Sequence, residues 1–162
     1  MYEINSKTPF TGGSVSYYEN GQLNTKSNYK DGKRDGLVYR YHENGKLMSK
    51  RTFKDGKINA PFEVYYDDGQ LMERYNFKNG IQYGLQEKFY ENGQIEERRN
   101  YKNDKLNGPW EKFSYTGQLK TKSNYKDGKL DGLYELFKDG SFRYKTCYRR
   151  GEEIDMSYCE RQ

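Results

Sequence analysis

Apolar side chains recur along this chain in short groups, and a polar turn sequence follows each group. The segments YYENGQL, YHENGKL, YYDDGQL and FYENGQI begin at residues 17, 41, 65 and 89, so they lie 24 residues apart. Runs rich in Tyr, Phe, Thr and Val flank each segment, and no stretch shows the 3.6-residue period of an amphipathic helix. The pattern therefore predicts short antiparallel strands joined by tight turns.

The glycines divide the chain into repeats. The first series begins in the segments above and consists of Gly21, Gly45, Gly69, Gly93, Gly117 and, after a one-residue deletion, Gly140. The second series follows the first by eleven residues and consists of Gly32, Gly56, Gly80, Asp104, Gly128 and Gly151. Self-similarity at a fixed period of 20–50 residues is typical of repeat proteins, in which each unit packs against its neighbours. We expect an all-β fold, an elongated antiparallel β-meander of six stacked hairpin repeats with about 24 residues each. The repeats are assigned to residues 13–155, with a lead-in from a preceding repeat at 1–12 and a tail or cap at 156–162.

Strand pairing follows from the turns. An Asn-Gly or Asp-Gly pair suits a two-residue type I′ turn, because both residues adopt positive φ there. Counting outward from these turns predicts an apolar face with the pairs Tyr18–Leu23, His42–Leu47, Tyr66–Leu71 and Tyr90–Ile95. The other face becomes a charged ladder with the pairs Glu63–Arg74, Glu87–Arg98 and Glu111–Lys122, accompanied by Tyr41–Met48 and Tyr65–Met72.

The amino-acid composition predicts a thin fold, one without a large hydrophobic core. Only 32% of the residues are hydrophobic, which is low for a globular domain. Aromatic residues nevertheless make up 17% of the chain, and each ring can bury about 150–250 Å², so disorder is not expected. The 29 basic and 24 acidic residues leave a net charge of +5, a mild excess that does not make nucleic acid the expected partner.

The inventory of reactive side chains is small. The single histidine, His42, occupies a position that Tyr18, Tyr66 and Tyr90 fill in other repeats, so we interpret it as a structural substitute. Cys147 and Cys159 lack CxxC spacing. Strand parity places them on opposite faces if the terminal strand is regular, whereas a tail that wraps back would let them pair in an oxidising compartment. We predict no catalytic residue, no metal site and no cofactor, and therefore no enzyme.

The consensus YYENGQLxxKxxYKDGKxDG resembles the MORN-type repeat, in the variant often assigned in bacteria to YwqK-like antitoxins. The resemblance extends from about Gly12 to Gly151 and departs from the pattern at Asp104, at Ala60 and in FSYTGQL at residues 113–119. It implies hairpins stacked side by side in an open trough. For the YwqK-like group it also implies a toxin as the partner.

The leading hypothesis is a non-catalytic interaction or scaffolding protein that binds a partner protein along its sheet surface. Equivalent side chains recur about every 10 Å in such a sheet, so a partner can touch several at once. The candidate binding residues are Tyr17, Tyr41, Tyr65, Phe89, Phe113, Lys50, Arg74, Arg98 and Lys122.

Two alternatives belong to other classes: attachment to anionic lipid or another polyanion through rows of basic residues, and glycan binding or adhesion at a cell surface. Edge-to-edge self-association through an uncovered end strand is a further prediction. We expect a cytoplasmic location if the N-terminus is native, and a periplasmic or surface location if a signal peptide has been removed.

Overall fold

The structure, a computed structural model, describes residues 8–161. It is nearly all β, and consecutive strands pair antiparallel in hairpins. The predicted all-β meander of hairpin repeats is therefore confirmed. The predicted lead-in lies partly outside the described residues, as does the last residue of the predicted tail. The chain divides into two compact units, which meet between Ile81 and Gln82 in the sequence.

The first unit contains a meander in which β1, β2, β4, β5, β7 and β8 lie side by side in that order, with β3 beside β2 and β6 beside β5. The bounds are β1 (Gly12–Tyr17), β2 (Leu23–Lys30), β3 (Lys33–Arg34), β4 (Gly36–Tyr41), β5 (Leu47–Lys54), β6 (Lys57–Ile58), β7 (Phe62–Tyr65), β8 (Leu71–Tyr75) and β9 (Phe77–Lys78). The short strand β10 (Ile81–Gln82) falls at the division between the units.

The second unit contains seven strands that are neighbours in chain order, followed by one helical turn. The bounds are β11 (Gly84–Phe89), β12 (Ile95–Lys102), β13 (Lys105–Phe113), β14 (Leu119–Lys126), β15 (Lys129–Lys138), β16 (Ser141–Arg149), β17 (Glu152–Ile154) and α1 (Ser157–Glu160).

The first turns at Asn20-Gly21, Asn44-Gly45, Asp68-Gly69 and Asn92-Gly93 differ from the prediction. The backbone N–H of Tyr18 donates to the carbonyl of Gln22 at 2.8 Å, and that of Gly21 donates to Tyr18 at 3.0 Å. Only Gly21 of the Asn-Gly pair has positive φ, at 82°. The connection is therefore a three-residue loop, a type I turn closed by a glycine in the left-handed region, rather than a two-residue type I′ turn.

A bulge next to this loop changes the pairs nearest the turn. Tyr17, rather than Tyr18, lies opposite Leu23, because the register shifts after Ser16. The predicted pairs Tyr18–Leu23, His42–Leu47, Tyr66–Leu71, Tyr90–Ile95, Tyr41–Met48 and Tyr65–Met72 are wrong for the same reason. The extra residue of the bulge compensates for the odd loop length, so the strand bodies keep the expected register. The pairs Glu63–Arg74, Glu87–Arg98 and Glu111–Lys122 are confirmed.

The type I′ geometry occurs at the second turn instead. Asp31 and Gly32 have φ of 49° and 74°, and the Gly32 N–H donates to the carbonyl of Phe10 in the preceding hairpin at 2.8 Å. The shortened last repeat has the same geometry at its first turn, where Asp139 and Gly140 have φ of 52° and 74°. Deleting one residue from the three-residue loop thus leaves a two-residue turn.

The aromatic and Asn side chains of the first turn link consecutive repeats. The hydroxyl of Tyr18 donates to the carbonyl of Tyr41 at 2.6 Å, and Tyr90 donates to Phe113 in the same way at 2.9 Å. Asn92 Nδ2 donates to the carbonyl of Tyr115 at 2.8 Å. These bonds explain why the whole segment is repeated, since each copy supplies a donor for the next.

The interior is thin and partly polar. Among the described residues, the buried hydrophobic side chains are Val38, Phe53 and Cys147, and the buried polar ones include Ser27, Ser49 and Ser123. Cys147 forms a disulfide with Cys159, with 6.0 Å between their Cα atoms. The assumption of a regular terminal strand, which would have kept the cysteines apart, does not hold, because β17 ends at Ile154 and α1 brings Cys159 back to β16.

Candidate interaction surface

The charged ladder of the first unit centres on Glu63. In each unit, we call this side of the sheet the ladder face. The Glu63 carboxylate lies 3.3 Å from Arg74 Nε and 3.9 Å from Lys50 Nζ, so the two predicted cations meet at one acid. The Tyr65 hydroxyl donates to the same carboxylate at 2.9 Å. Burial, this hydrogen bond and the charge of Glu63 raise the pKa of Tyr65 to about 12, although Arg74 opposes the rise.

The aromatic residues of this face are accessible to different degrees. Tyr17 is 62% exposed, whereas Tyr41 and Tyr65 are half-buried. The Tyr41 ring lies 6.5 Å from the ring of Tyr39. Tyr39, which the sequence analysis did not single out, lies in register between Lys26 and Lys50 and therefore belongs to the same row.

In the second unit, two of the predicted residues form one depression. The guanidinium of Arg98 lies 6.0 Å from the centre of the Phe113 ring, and its Nε lies 3.5 Å from the Glu87 carboxylate. Both side chains line a depression of about 370 Å³ together with Ile95 and the two turn segments nearby. Phe89 is half-buried opposite Ile95, and Lys122 is exposed opposite Glu111. Neither Phe89 nor Lys122 lines this depression.

Comparison with known families agrees with this geometry. The sequence profile of the MORN repeat variant matches residues 12–31, 34–55, 59–79, 82–103 and 106–127. The chain belongs to the MORN repeat variant family. MORN repeats are generally non-catalytic and are associated with binding to proteins or membrane lipids. No curated protein matches the chain. Within the described residues, no helix has the length and apolarity needed to cross a membrane.

The opposite side of the second MORN unit, which we call the aromatic face, contains a buried charge that the sequence analysis missed. Glu97 is only 5% exposed. It accepts short hydrogen bonds from Arg99 and from the indole N–H of Trp110, and Lys112 Nζ lies 3.9 Å away. Burial alone would raise the pKa of Glu97, but the hydrogen bonds from Arg99 and Trp110 and the charges of Arg99 and Lys112 lower it below its usual value.

A signal for this cluster was present in the alignment of the MORN repeats. At the position of Glu97, the repeat before it also has a carboxylate, Glu73, whereas three other repeats have the small neutral residues Thr25, Ser49 and Thr121. Ser49 and Thr121 are buried at this position, so a carboxylate there indicates local cations, because an unpaired buried charge is very costly.

The second turns of the MORN repeats form a basic edge in each unit. Lysines lie directly opposite each other beside four of these turns: Lys30–Lys33 and Lys54–Lys57 in the first unit, and Lys102–Lys105 and Lys126–Lys129 in the second. Like charges in directly opposed positions destabilise a sheet. In the first unit, Lys33, Lys54 and Lys57 also border an open depression of about 520 Å³.

Proposed function

We propose that this MORN-repeat chain is a non-catalytic interaction protein that binds a partner protein through the surface of its sheet. The observation that supports this proposal most directly is the depression beside Arg98 and Phe113. It offers a cation, an aromatic ring and the aliphatic side chain of Ile95 within about 370 Å³, enough room for a side chain of a partner. Arginine and aromatic residues are enriched among the residues that dominate binding energy at protein interfaces.

The first unit presents related groups on its ladder face. Tyr17 is largely exposed, and Tyr41 and Tyr65 follow at one-repeat intervals with Lys50 and Arg74 between them. The ion pairs at Glu63 are partly exposed, and such pairs contribute only about 0–1 kcal/mol to stability. Their contribution to folding is therefore small, which leaves these side chains free to be selected for recognition.

Site-specific photo-crosslinking in the cells of origin tests this proposal. Benzoylphenylalanine at Tyr17, on the ladder face, should give one discrete protein adduct. The matched control is Tyr144, which is similarly exposed, at 50% against 62%, but lies in the row of the aromatic face that contains Lys112 and Thr121. No adduct from Tyr17, or an adduct from Tyr144 alone, would contradict binding along the ladder face. With the captured protein purified, Arg98→Gln combined with Phe113→Ser should weaken its binding at least about tenfold.

The likeness to YwqK-like antitoxins supports a narrower form of this proposal, in which the chain is bacterial and the partner is a toxin. Expression of the captured protein alone should then arrest growth of the host cells, and co-expression of this chain should restore it. Growth that is unaffected by the captured protein would remove the antitoxin role and leave the interaction role standing.

The opposed lysine pairs favour attachment to an anionic surface as a second candidate function. The chain retains four pairs that cost stability, and a negatively charged partner would offset that cost. Vesicles containing phosphatidylserine should sediment the chain at low salt and release it at high salt, whereas phosphatidylcholine vesicles should not. Lys126→Gln with Lys129→Gln should reduce this binding more than Lys120→Gln with Lys138→Gln, two exposed lysines near the first-turn edge. Equal effects of the two double variants would exclude the second-turn edge as the site.

A further inference from the structure

The aromatic face of the first unit holds a group of arginines. The guanidinium of Arg51 lies over the Phe62 ring, 4.3 Å from its centre. Arg51 pairs with Val38 and Arg40 pairs with Ser49, so the two arginines are diagonal neighbours on the same side of the sheet. Arg34 lies nearby over Phe53, at 5.6 Å.

These arginines lack an acidic partner among residues 8–161. Nε of Arg51 is buried and makes no hydrogen bond there, and no carboxylate of the described chain forms an ion pair with Arg40 or Arg51. Glu73, on the same face, accepts a hydrogen bond from Tyr75. Burial, followed by the charges of Arg40 and Arg34, lowers the pKa of Arg51. The site therefore favours the arrival of a negative charge.

In the second unit, the residues equivalent to Arg40 and Arg51 lie beside a buried carboxylate. Arg99 and Lys88 lie 48 residues, or two repeats, after Arg51 and Arg40. Glu97, two residues before Arg99, forms an ion pair with Arg99 and also binds Trp110 and Lys112. Two repeats before Glu97, the corresponding residue is Ser49, which is 3% exposed and carries no charge.

We propose that Arg40 and Arg51 bind an Asp or Glu carboxylate of the partner protein, which takes the part that Glu97 plays toward Arg99 in the second unit. This inference rests on the proposed function, since it assumes a protein partner, and it adds a contact on the aromatic face. The planar guanidinium of Arg51, held against Phe62, presents its N–H donors in a fixed orientation that suits a carboxylate. Charge-assisted hydrogen bonds of this kind are about twice as strong as neutral ones.

A defined acidic peptide tests the site without knowledge of the partner. The probe is tetraglutamate, acetylated at its N-terminus and amidated at its C-terminus, and tetraglutamine with the same end groups is the uncharged control. Nuclear magnetic resonance of the arginine Nε–Hε groups should show a saturable shift at Arg51 with tetraglutamate and not with tetraglutamine. An equal response to both peptides would overturn the proposal. Tighter binding of inorganic phosphate than of tetraglutamate would also overturn it, because it would indicate a phosphate site.

Three variants locate the binding. Arg51→Gln should weaken binding of tetraglutamate at least about tenfold. Ser49→Glu should do the same by supplying an internal carboxylate, while Ser49→Gln, which has the same size without the charge, should retain most of the binding. Lys120→Gln, at an exposed lysine of the second unit, should leave the Arg51 shift unchanged. Unaltered binding in Arg51→Gln, with its backbone spectrum preserved, would refute the assignment.

The two proposals can fail independently. If a captured partner binds the Arg51→Gln variant as well as it binds the original chain, the inference fails and the interaction role stands. If tetraglutamate binds at Arg51 while photo-crosslinking captures no protein, the carboxylate chemistry stands and the interaction role fails.

Discussion

Replacing Glu97 with glutamine should destabilise the second unit in a way that depends on pH. Glutamine has nearly the same size and keeps a carbonyl oxygen for the indole N–H of Trp110, but it removes the negative charge. Arg99 and Lys112 then lose the anion that they share. The substitution therefore separates the electrostatic contribution of Glu97 from its packing.

The magnitude follows from the burial of the groups. Breaking a fully buried ion pair costs about 3–5 kcal/mol. Glu97 is buried, but the side chains of Arg99 and Lys112 are 34% and 47% exposed, so water can partly replace the lost anion. The appropriate scale is that of a hydrogen bond to a charged group, about 1.5–3 kcal/mol. We expect Glu97→Gln to lower the free energy of unfolding by this amount at pH 7.

The sign of the pH dependence follows from the lowered pKa of Glu97. A carboxylate whose pKa is lower in the folded state stabilises that state above its unfolded pKa, which for Glu is about 4.3, and this contribution is lost as pH falls through the folded pKa. The difference between the original chain and Glu97→Gln should therefore be largest near neutral pH. It should shrink steadily below about pH 4, where Glu97 becomes protonated and resembles glutamine.

Urea unfolding at several pH values measures this difference. Trp110 is the only tryptophan of the chain and contacts Glu97, so its fluorescence reports on this region, and circular dichroism gives an independent signal. Glu96→Gln is the matched control, because Glu96 forms a partly exposed ion pair with Lys88 and should cost about 0–1 kcal/mol. A cost for Glu97→Gln no larger than that of Glu96→Gln, or a cost that is the same at pH 3 as at pH 7, would refute the reasoning.

Three further predictions concern other parts of the chain. Spectrophotometric titration should include a component at about pH 12 from Tyr65, and Glu63→Gln should lower that pKa. Because the folded pKa is raised, the stability linked to Tyr65 is lost as pH rises from about 10 through 12. Cys159→Ser should lower the free energy of unfolding by about 3 kcal/mol, the value for a closed loop of this length, and reduction of the original chain should reproduce the loss. Asp104→Gly should change the free energy of unfolding by less than about 0.5 kcal/mol. Glycine relieves the strain of a positive φ of 61°, but it loses the hydrogen bond from the Gln82 N–H to Asp104 Oδ1 and adds backbone freedom to the unfolded chain. A gain of more than about 1 kcal/mol in thermal or urea unfolding would contradict this balance.

The meander and the register of the strand bodies could be predicted from the sequence, whereas the turns could not. A two-residue loop, and a three-residue loop followed by a bulge, place Glu63 opposite Arg74 equally well. Counting from the Asn-Gly pair therefore predicts the pairs of the charged ladder correctly, but it places Leu23 opposite Tyr18 instead of Tyr17. The choice between the loops is made locally by the φ of Asn20, which the letters Asn-Gly do not specify.

The side-chain clusters were less predictable, because parity assigns a residue to a face but not to a degree of burial. Glu97 is buried since Arg99, two residues along the same strand, and Lys112, on the next strand, both reach its carboxylate. The disulfide depended on where β17 ends, and the sequence after Ile154 contains no glycine or proline to mark that point. The Glu97 cluster and the disulfide arise from contacts that other repeats do not share, so the 24-residue period does not predict them.

The repeats therefore divide into positions that bind the backbone of a neighbouring repeat and positions that do not. The turn glycines and the tyrosine hydroxyls bind backbone atoms of an adjacent repeat, and a change there disturbs two repeats at once. Ser49 and Glu97 occupy equivalent places without any such bond to backbone, although Glu97 binds the side chains of Trp110 and Lys112 in the next repeat. Because strand register does not depend on these side chains, differences between repeats at them are where specificity for a partner can accumulate. An exchange of Ser49 and Glu97 between the units should move the unpaired cations from Arg51 to Arg99 while the strands of both units keep their register. Loss of the register in either unit would show that these positions belong to the framework after all.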